Sequence, residues 1–207
     1  MNWGEPAARL YAILDGSRFQ TAEQAGKTAD DLARAGVRIL QYRNKLSDLQ
    51  EMLEQAAAIK RLIGGRATLI FNDRADLCLA AGFDGLHLGQ EDLRPESARQ
   101  ILGAQLPLGV STHNPQQVIE ADQASADYIA VGPVFATYSK SNPDPVIGLD
   151  GVRRARELTK KPLVAIGGIT RQNCRAVIAA GADSVAVISD LVRDPGKSAE
   201  DFLRILG

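Results

Sequence analysis

Short polar clusters stand at or just past the ends of apolar runs in this chain, and their residue types suit phosphate and metal chemistry. They read Gln41-Tyr42-Arg43-Asn44-Lys45, Asn72-Asp73, Gly89-Gln90-Glu91-Asp92 and Ser111-Thr112-His113. A polar residue after an apolar run is commonplace taken singly. Two separated acids, Asp73 and Asp92, with Arg43 and Lys45 nearby are less so. Two carboxylates beside cationic side chains suit an oxygen-ligated Mg2+ that holds a diphosphate, because Mg2+ takes few protein oxygens and completes its shell with phosphate and water. Arg and Lys would neutralise the remaining phosphate charge. The same four residues could instead form an internal salt-bridge network, and Asp92 could cap a helix beginning near Arg94-Pro95.

A second set lies further along. Ile166-Gly167-Gly168-Ile169 and Ile188-Ser189-Asp190 each close an apolar run. Small residues let backbone amides approach a ligand, although a tight turn needs Gly with no ligand at all. Both histidines read as supporting residues. His87, inside Leu86-His87-Leu88, reads as an inward-facing, hydrogen-bonded histidine, and His113 as a polar residue at a helix start. By alternation, if Gln41 and Arg43 face a ligand, the Tyr42 ring faces the other way.

Positioning these groups requires a scaffold that brings many strand ends together. Apolar runs occur at Leu10 to Leu14, Arg38 to Tyr42, Thr68 to Phe71, Gly85 to Leu88, Leu108 to Val110, Tyr128 to Val131, Leu163 to Ile166 and Val185 to Ile188. Segments with helical spacing separate them, such as Leu49, Met52, Leu53, Ala56, Ala57 and Ile59, or Asn173, Val177 and Ile178 before Gly181. Short, uniformly apolar strands alternating with helices imply a parallel sheet covered by helices. A repeated phrase sharpens this: Ala35-Gly36-Val37, Ala81-Gly82-Phe83-Asp84, Ser125-Ala126-Asp127 and Ala180-Gly181-Ala182-Asp183 precede strands two, four, six and eight. Gly permits the left-handed helix end and Asp can bond nearby turn amides. A ring of such units would put all these turns at one end, which predicts a single α/β domain over residues 1–207, a (βα)8 barrel with a closed parallel sheet. At about 26 residues per unit it is a small example of that fold. Residues 1–8 read as an extension.

In such barrels reactive groups sit at the carboxyl ends of strands, and phosphate commonly binds after strands seven and eight. Both sets of clusters satisfy that rule, so the site is expected to hold a metal-bound diphosphate near strands two to four and a monophosphate near strands seven and eight. One connection breaks the rhythm. Residues 132–149 hold three Pro and two Gly without helical periodicity, which reads as a long active-site loop.

Composition excludes several other functions. The chain has 207 residues, 24 Lys plus Arg against 25 Asp plus Glu, and a net charge of −1. It therefore offers no basic field for nucleic acid or an anionic membrane surface. No apolar run approaches the roughly 20 residues that span a bilayer, and the N-terminal residues lack the features of a signal peptide. Cys78 and Cys174 make neither a disulfide framework nor a metal-finger spacing. A cytoplasmic protein acting on small molecules is expected; a homo-oligomer stays open.

The strings Gln41-Tyr42-Arg43-Asn44-Lys45, Phe71-Asn72-Asp73, His87-Leu88-Gly89-Gln90-Glu91-Asp92, Gly109-Val110-Ser111, Gly132-Pro133-Val134-Phe135 with Thr137 to Lys140, and Ile166-Gly167-Gly168-Ile169 together closely resemble the thiamine phosphate synthase family. The resemblance runs in order from about Leu10 to Leu191. It implies an eightfold βα barrel that joins a pyrimidine methyl diphosphate to a thiazole phosphate, plain or carboxylated, and releases pyrophosphate.

By position, the resemblance implies that Gln41, Tyr42, Arg43, Asn44, Lys45, Asn72, Ser111 and Lys140 line the pyrimidine diphosphate, with Arg43, Lys45 and Lys140 catalytic. Asp73 and Asp92 would ligate one Mg2+. Thr137, Tyr138, Ser139, Gly168, Ile188 and Ser189 would hold the thiazole phosphate. The family's usual Pro-Thr-x-Thr-Lys reads Ala136-Thr137-Tyr138-Ser139-Lys140 here; Ser keeps the hydroxyl, while Ala for Pro relaxes the loop. Two rivals share the fold. A related thiazole tautomerase would not need Asn72, Asp73, Asp92, Arg43 and Lys45 together, and a non-catalytic phosphate-sensing barrel could lose the metal pair.

Overall fold

The computed structural model describes residues 3–45, 48–137 and 144–207. Eight parallel strands close into a barrel in sequence order: β1 (Leu10–Asp15), β2 (Ile39–Arg43), β3 (Thr68–Asn72), β4 (Gly85–Leu88), β5 (Leu108–Thr112), β6 (Tyr128–Val131), β7 (Leu163–Ile166) and β8 (Ser184–Val187). β8 returns to pair with β1. Between and after the strands lie α1 (Ala22–Arg34), α2 (Leu49–Ile63), α3 (Ala75–Ala80), α4 (Pro95–Leu102), α5 (Pro115–Gln123), α6 (Gly148–Leu158), α7 (Cys174–Ala179) and α8 (Pro195–Leu206). The expected fold is the observed one. Several strands run further than their apolar runs: Arg43, Asn72, Ser111 and Thr112 belong to the sheet, because its ladder is made by backbone and tolerates polar side chains at its ends.

Strand alternation divides the apolar residues into two cores. Outward side chains such as Leu40, Tyr42, Phe71 and Leu86 pack under the helices. Tyr42, Phe71 and Phe83 meet edge to face, with ring centroids 5.2 to 6.5 Å apart. Inward side chains, including Tyr11, Ile13, Ile39, Ile70, Tyr128 and Val164, fill the barrel. Each such fully buried side chain contributes roughly 1.5–3 kcal/mol relative to exposure. The extension expected at residues 1–8 is put to use, since Ala8 joins the inner core and the Trp3 ring lies 5.0 Å from that of Tyr128. On α2 the phase differs slightly from expectation: Ala57 is exposed, while Gln55 and Ala58 are buried.

The repeated Asp does more than brace its own turn. Its amide donates to a carbonyl of the preceding strand, and its carboxylate accepts from that same residue's amide. Asp84 holds Leu69 at 2.8 and 2.8 Å, Asp127 holds Leu108 at 2.7 and 2.8 Å, and Asp183 holds Leu163 at 2.8 and 2.7 Å. Three clamps therefore fasten the amino-terminal ends of strand pairs, away from the polar clusters. Arg99 and Arg156 complete two of them, at 2.7 Å from Asp127 and 2.9 Å from Asp183.

The connection after β6 ends sooner than expected, because Gly148 and Leu149 begin α6. Its two described ends are tied together: Ile147 donates to the Pro133 carbonyl at 2.9 Å, and Gly148 to that of Val134 at 3.1 Å.

Candidate active site

The carboxyl ends of the strands gather most of the expected residues at one mouth. Asp73 stands just past β3 with a left-handed φ of 65°, a conformation that Asp tolerates better than most side chains. Its amide donates to the His87 carbonyl at 2.8 Å. Lys45 Nζ lies 3.1 Å from Asp73 Oδ2. Asp92 reaches toward Asp73 from the β4 side and sets its carboxyl beside that of Asp73. Burial and the neighbouring Asp92 carboxyl raise the Asp73 pKa to about 6 despite Lys45. Two carboxylates in one partly buried place cannot both ionise cheaply, and a divalent cation between them would remove the conflict. The pair therefore fits the expected metal. Among the described residues no cluster of three or more His, Cys, Asp or Glu is placed to hold a metal ion.

Asp92 is not the cap of α4. Arg94 occupies that position without a side-chain bond, while Pro95 takes the first turn as expected. The Asp92 carboxylate instead folds back to accept from the Gly89 amide at 2.6 Å, which turns the loop after β4 and presents Asp92 to Asp73. A cleft of ≈ 400 Å3 runs outward from the pair, lined by Arg74, Asp76, Glu91 and Leu93 among others.

Parity along β2 sorts its cluster. Gln41 is buried inside the barrel, donating to the Tyr11 hydroxyl at 2.9 Å. Arg43 lies at the mouth, 3.8 Å from Asp15. The side chains of Tyr42 and Asn44 face the helix layer, so neither is placed to touch a ligand in the barrel mouth. Tyr42 donates to Gln55 Oε1 at 2.7 Å, Asn44 lies 3.3 Å from the Tyr42 hydroxyl, and burial pushes the Tyr42 pKa up to about 12. The Tyr42 ring thus points where alternation puts it. Inward-facing Asn72 is 8% exposed, and no hydrogen bond of its amide occurs among the described residues. An amide so placed is available to a ligand.

Ser111, at the end of β5, meets His87 Nε2 at 2.9 Å. His87 is inward and hydrogen-bonded, as its sequence setting implies. His113 ties β5 to the connection after β6, with Nδ1 at 2.6 Å from the Gly132 carbonyl and Nε2 at 3.4 Å from Asp144.

At the other side of the mouth the β7–β8 register pairs Ile166 with Ala186, so Gly168 and Ile188 leave the sheet side by side. Gly168 has a φ of 63°, and a Cβ there would stand 2.5 Å from the Ala136 carbonyl oxygen and 2.8 Å from Phe135 Cβ. Its lack of a side chain thus admits the chain after β6. Ile188 ends outside β8, half-buried against the inner core, and exposed Ser189 opens a short turn that closes on buried Leu191. Thr137 is half-buried; Tyr138, Ser139 and Lys140 lie outside the described residues.

Asp15 escaped the sequence reading although it ends β1 just as Asn72 ends β3. It accepts from Ser17 at 2.7 Å and faces Arg43. Tyr11 and Tyr128 also escaped it, since tyrosines within apolar runs read as core.

Comparison with known proteins agrees with this fold. A family model described as thiamine monophosphate synthase matches residues 10–191. A thiamine-phosphate synthase of Koribacter versatilis is 55% identical over 201 residues, covering 96% of this chain and 95% of that protein. One from Methanosarcina mazei is 42% identical over 174 residues, covering 83% and 72%. The solved structure of a thiamine phosphate pyrophosphorylase from Pyrococcus furiosus superposes with a TM-score of 0.85 at 33% identity, covering 97% of this chain and 96% of that one. With its barrel and most of its length matched, the chain belongs to the thiamine monophosphate synthase family.

Proposed function

We propose that this chain is a thiamine-phosphate synthase, a transferase that joins a pyrimidine methyl diphosphate to a thiazole phosphate and releases pyrophosphate. The observation that carries the reading is the facing Asp73–Asp92 pair, held in mutual conflict beside Lys45 at the barrel mouth. A tautomerase or a phosphate sensor has no use for it.

Asp73 and Asp92 would hold one Mg2+, which when bound offsets negative charge on the diphosphate and makes it a better leaving group. Arg43, Lys45 and Lys140 bind the same diphosphate and stabilise the charge that builds on it as the bond from methylene carbon to oxygen breaks. Its electron pair departs with pyrophosphate. The pyrimidine methylene becomes electron-poor, and the thiazole nitrogen lone pair forms the new carbon–nitrogen bond. Gln41, Asn72 and Ser111 orient the pyrimidine. Thr137, Ser139, Gly168 and the Ile188-Ser189 backbone hold the thiazole phosphate. No protein nucleophile is needed.

The two cysteines are free and buried, in keeping with a reducing cytoplasm, and no helix among the described residues is long and apolar enough to cross a membrane. The deciding measurement is pyrophosphate release with both substrates. Thiamine phosphate and pyrophosphate should appear in equal amounts and only with Mg2+ present. Thiazole isomerisation without pyrophosphate, or binding without turnover, would overturn the reading.

A further inference from the structure

Inside the barrel runs a line of polar side chains whose three middle members this mechanism leaves unused. Gln41 Nε2 donates to the Tyr11 hydroxyl at 2.9 Å, and the Tyr11 and Tyr128 hydroxyls are 2.9 Å apart. The Tyr128 hydroxyl lies 3.1 Å from His87 Nδ1, and His87 Nε2 lies 2.9 Å from Ser111 Oγ. The first four residues are buried; only Ser111 is part-exposed. Both ends of the line are residues assigned above to the pyrimidine.

Such a line has a direction. A tyrosine hydroxyl has one hydrogen, and a neutral imidazole has one N–H. With Tyr11 accepting from the Gln41 amide, the arrangement that gives every hydrogen in the line an acceptor sends that of Tyr11 to Tyr128 and that of Tyr128 to His87 Nδ1. The imidazole proton then sits on Nε2 and is donated to Ser111. Ser111, having accepted, keeps its own hydrogen for a ligand. Burial keeps both phenols protonated, so each holds the one hydrogen that the line passes on.

We propose that Tyr11, Tyr128 and His87 are positioning residues whose one-way relay fixes the Ser111 hydroxyl as a hydrogen-bond donor to a ring nitrogen of the pyrimidine substrate. The proposal rests on the assignment of Gln41 and Ser111 to that substrate. A pyrimidine nitrogen offers a lone pair and no hydrogen, so a serine already turned to donate meets it without reorganisation. Gly109 makes room for the relay, since a Cβ there would lie 2.0 Å from the Tyr128 ring.

The test is a double-mutant cycle of Tyr128→Phe and Ser111→Ala, read as KM for each substrate, with a thermal midpoint to confirm folding. Tyr128→Phe keeps the ring over Gly109 and removes one link. It should raise KM for the pyrimidine diphosphate about fivefold and leave that for the thiazole phosphate unchanged. In the Ser111→Ala background the same substitution should change nothing further. Equal effects in both backgrounds, or none in the wild-type background, would overturn the relay while leaving the site assignment standing. If Ser111→Ala itself does not alter the pyrimidine KM, the site assignment fails and the relay with it. Tyr11→Phe breaks the line one link earlier and should reproduce the result, which keeps the test decisive if Tyr128→Phe does not fold.

Discussion

Aspartates stand at both ends of this barrel, and the two ends treat them in opposite ways. At the amino-terminal ends Asp84, Asp127 and Asp183 each accept from a strand amide, and two of them also face an arginine. At the carboxyl ends Asp73 and Asp92 face each other, and Asp73 is pushed toward the protonated form. The first arrangement satisfies its charges inside the protein; the second leaves a charge problem that a bound cation and its substrate can resolve. One end secures the fold and the other holds an unresolved electrostatic conflict, as expected where stability and chemistry occupy opposite faces of the barrel.

The largest break in this contrast should come from Asp73→Asn. Asn tolerates the left-handed backbone and removes the charge, so turnover should fall at least about a hundredfold, while circular dichroism and the urea midpoint stay close to wild type. Unchanged turnover would remove the metal role. Asp183→Ala should do the reverse. It strands the Leu163 amide and removes the Arg156 ion pair, so the free energy of unfolding should drop by about 2 kcal/mol with both KM values intact.

The smallest effect is a pH dependence specific to the mouth. A carboxyl whose folded pKa is raised to about 6, against about 3.9 unfolded, binds its proton more tightly in the native state. Its stabilising contribution is fully present below the unfolded pKa and is lost as pH rises through about 6. Urea midpoints without metal should therefore decline from pH 5 to 7.5, less so in Asp73→Asn, and recover when Mg2+ is added at pH 7.5. Activity should move the opposite way, falling as acid protonates Asp73.

The scaffold was readable because each interior strand is a short apolar run and each unit repeats a turn phrase. Strand ends were less so, since Arg43 and Asn72 carry no apolar signal although their backbones remain in the ladder. Periodicity placed the Tyr42 ring correctly but was not extended to Asn44, which shares its parity. The alternative in which Asp73, Asp92, Arg43 and Lys45 form one salt-bridge network is met only in part. Lys45 pairs with Asp73, whereas Arg43 turns to Asp15. The relay could not be read from the chain, because Tyr11 and Tyr128 are 117 positions apart and only closure of the barrel makes them neighbours.

That closure gives Gly109 an unusual standing. It has no functional group and lies two positions before Ser111, yet the Tyr128 ring fills the volume where its side chain would be. The two positions behave as one exchangeable volume: any enlargement at 109 demands a smaller residue at 128, and with it the loss of the phenol. Sequence change at this glycine is thus constrained by a hydroxyl that it never touches, and designed variants of the interior must treat the pair as a single choice.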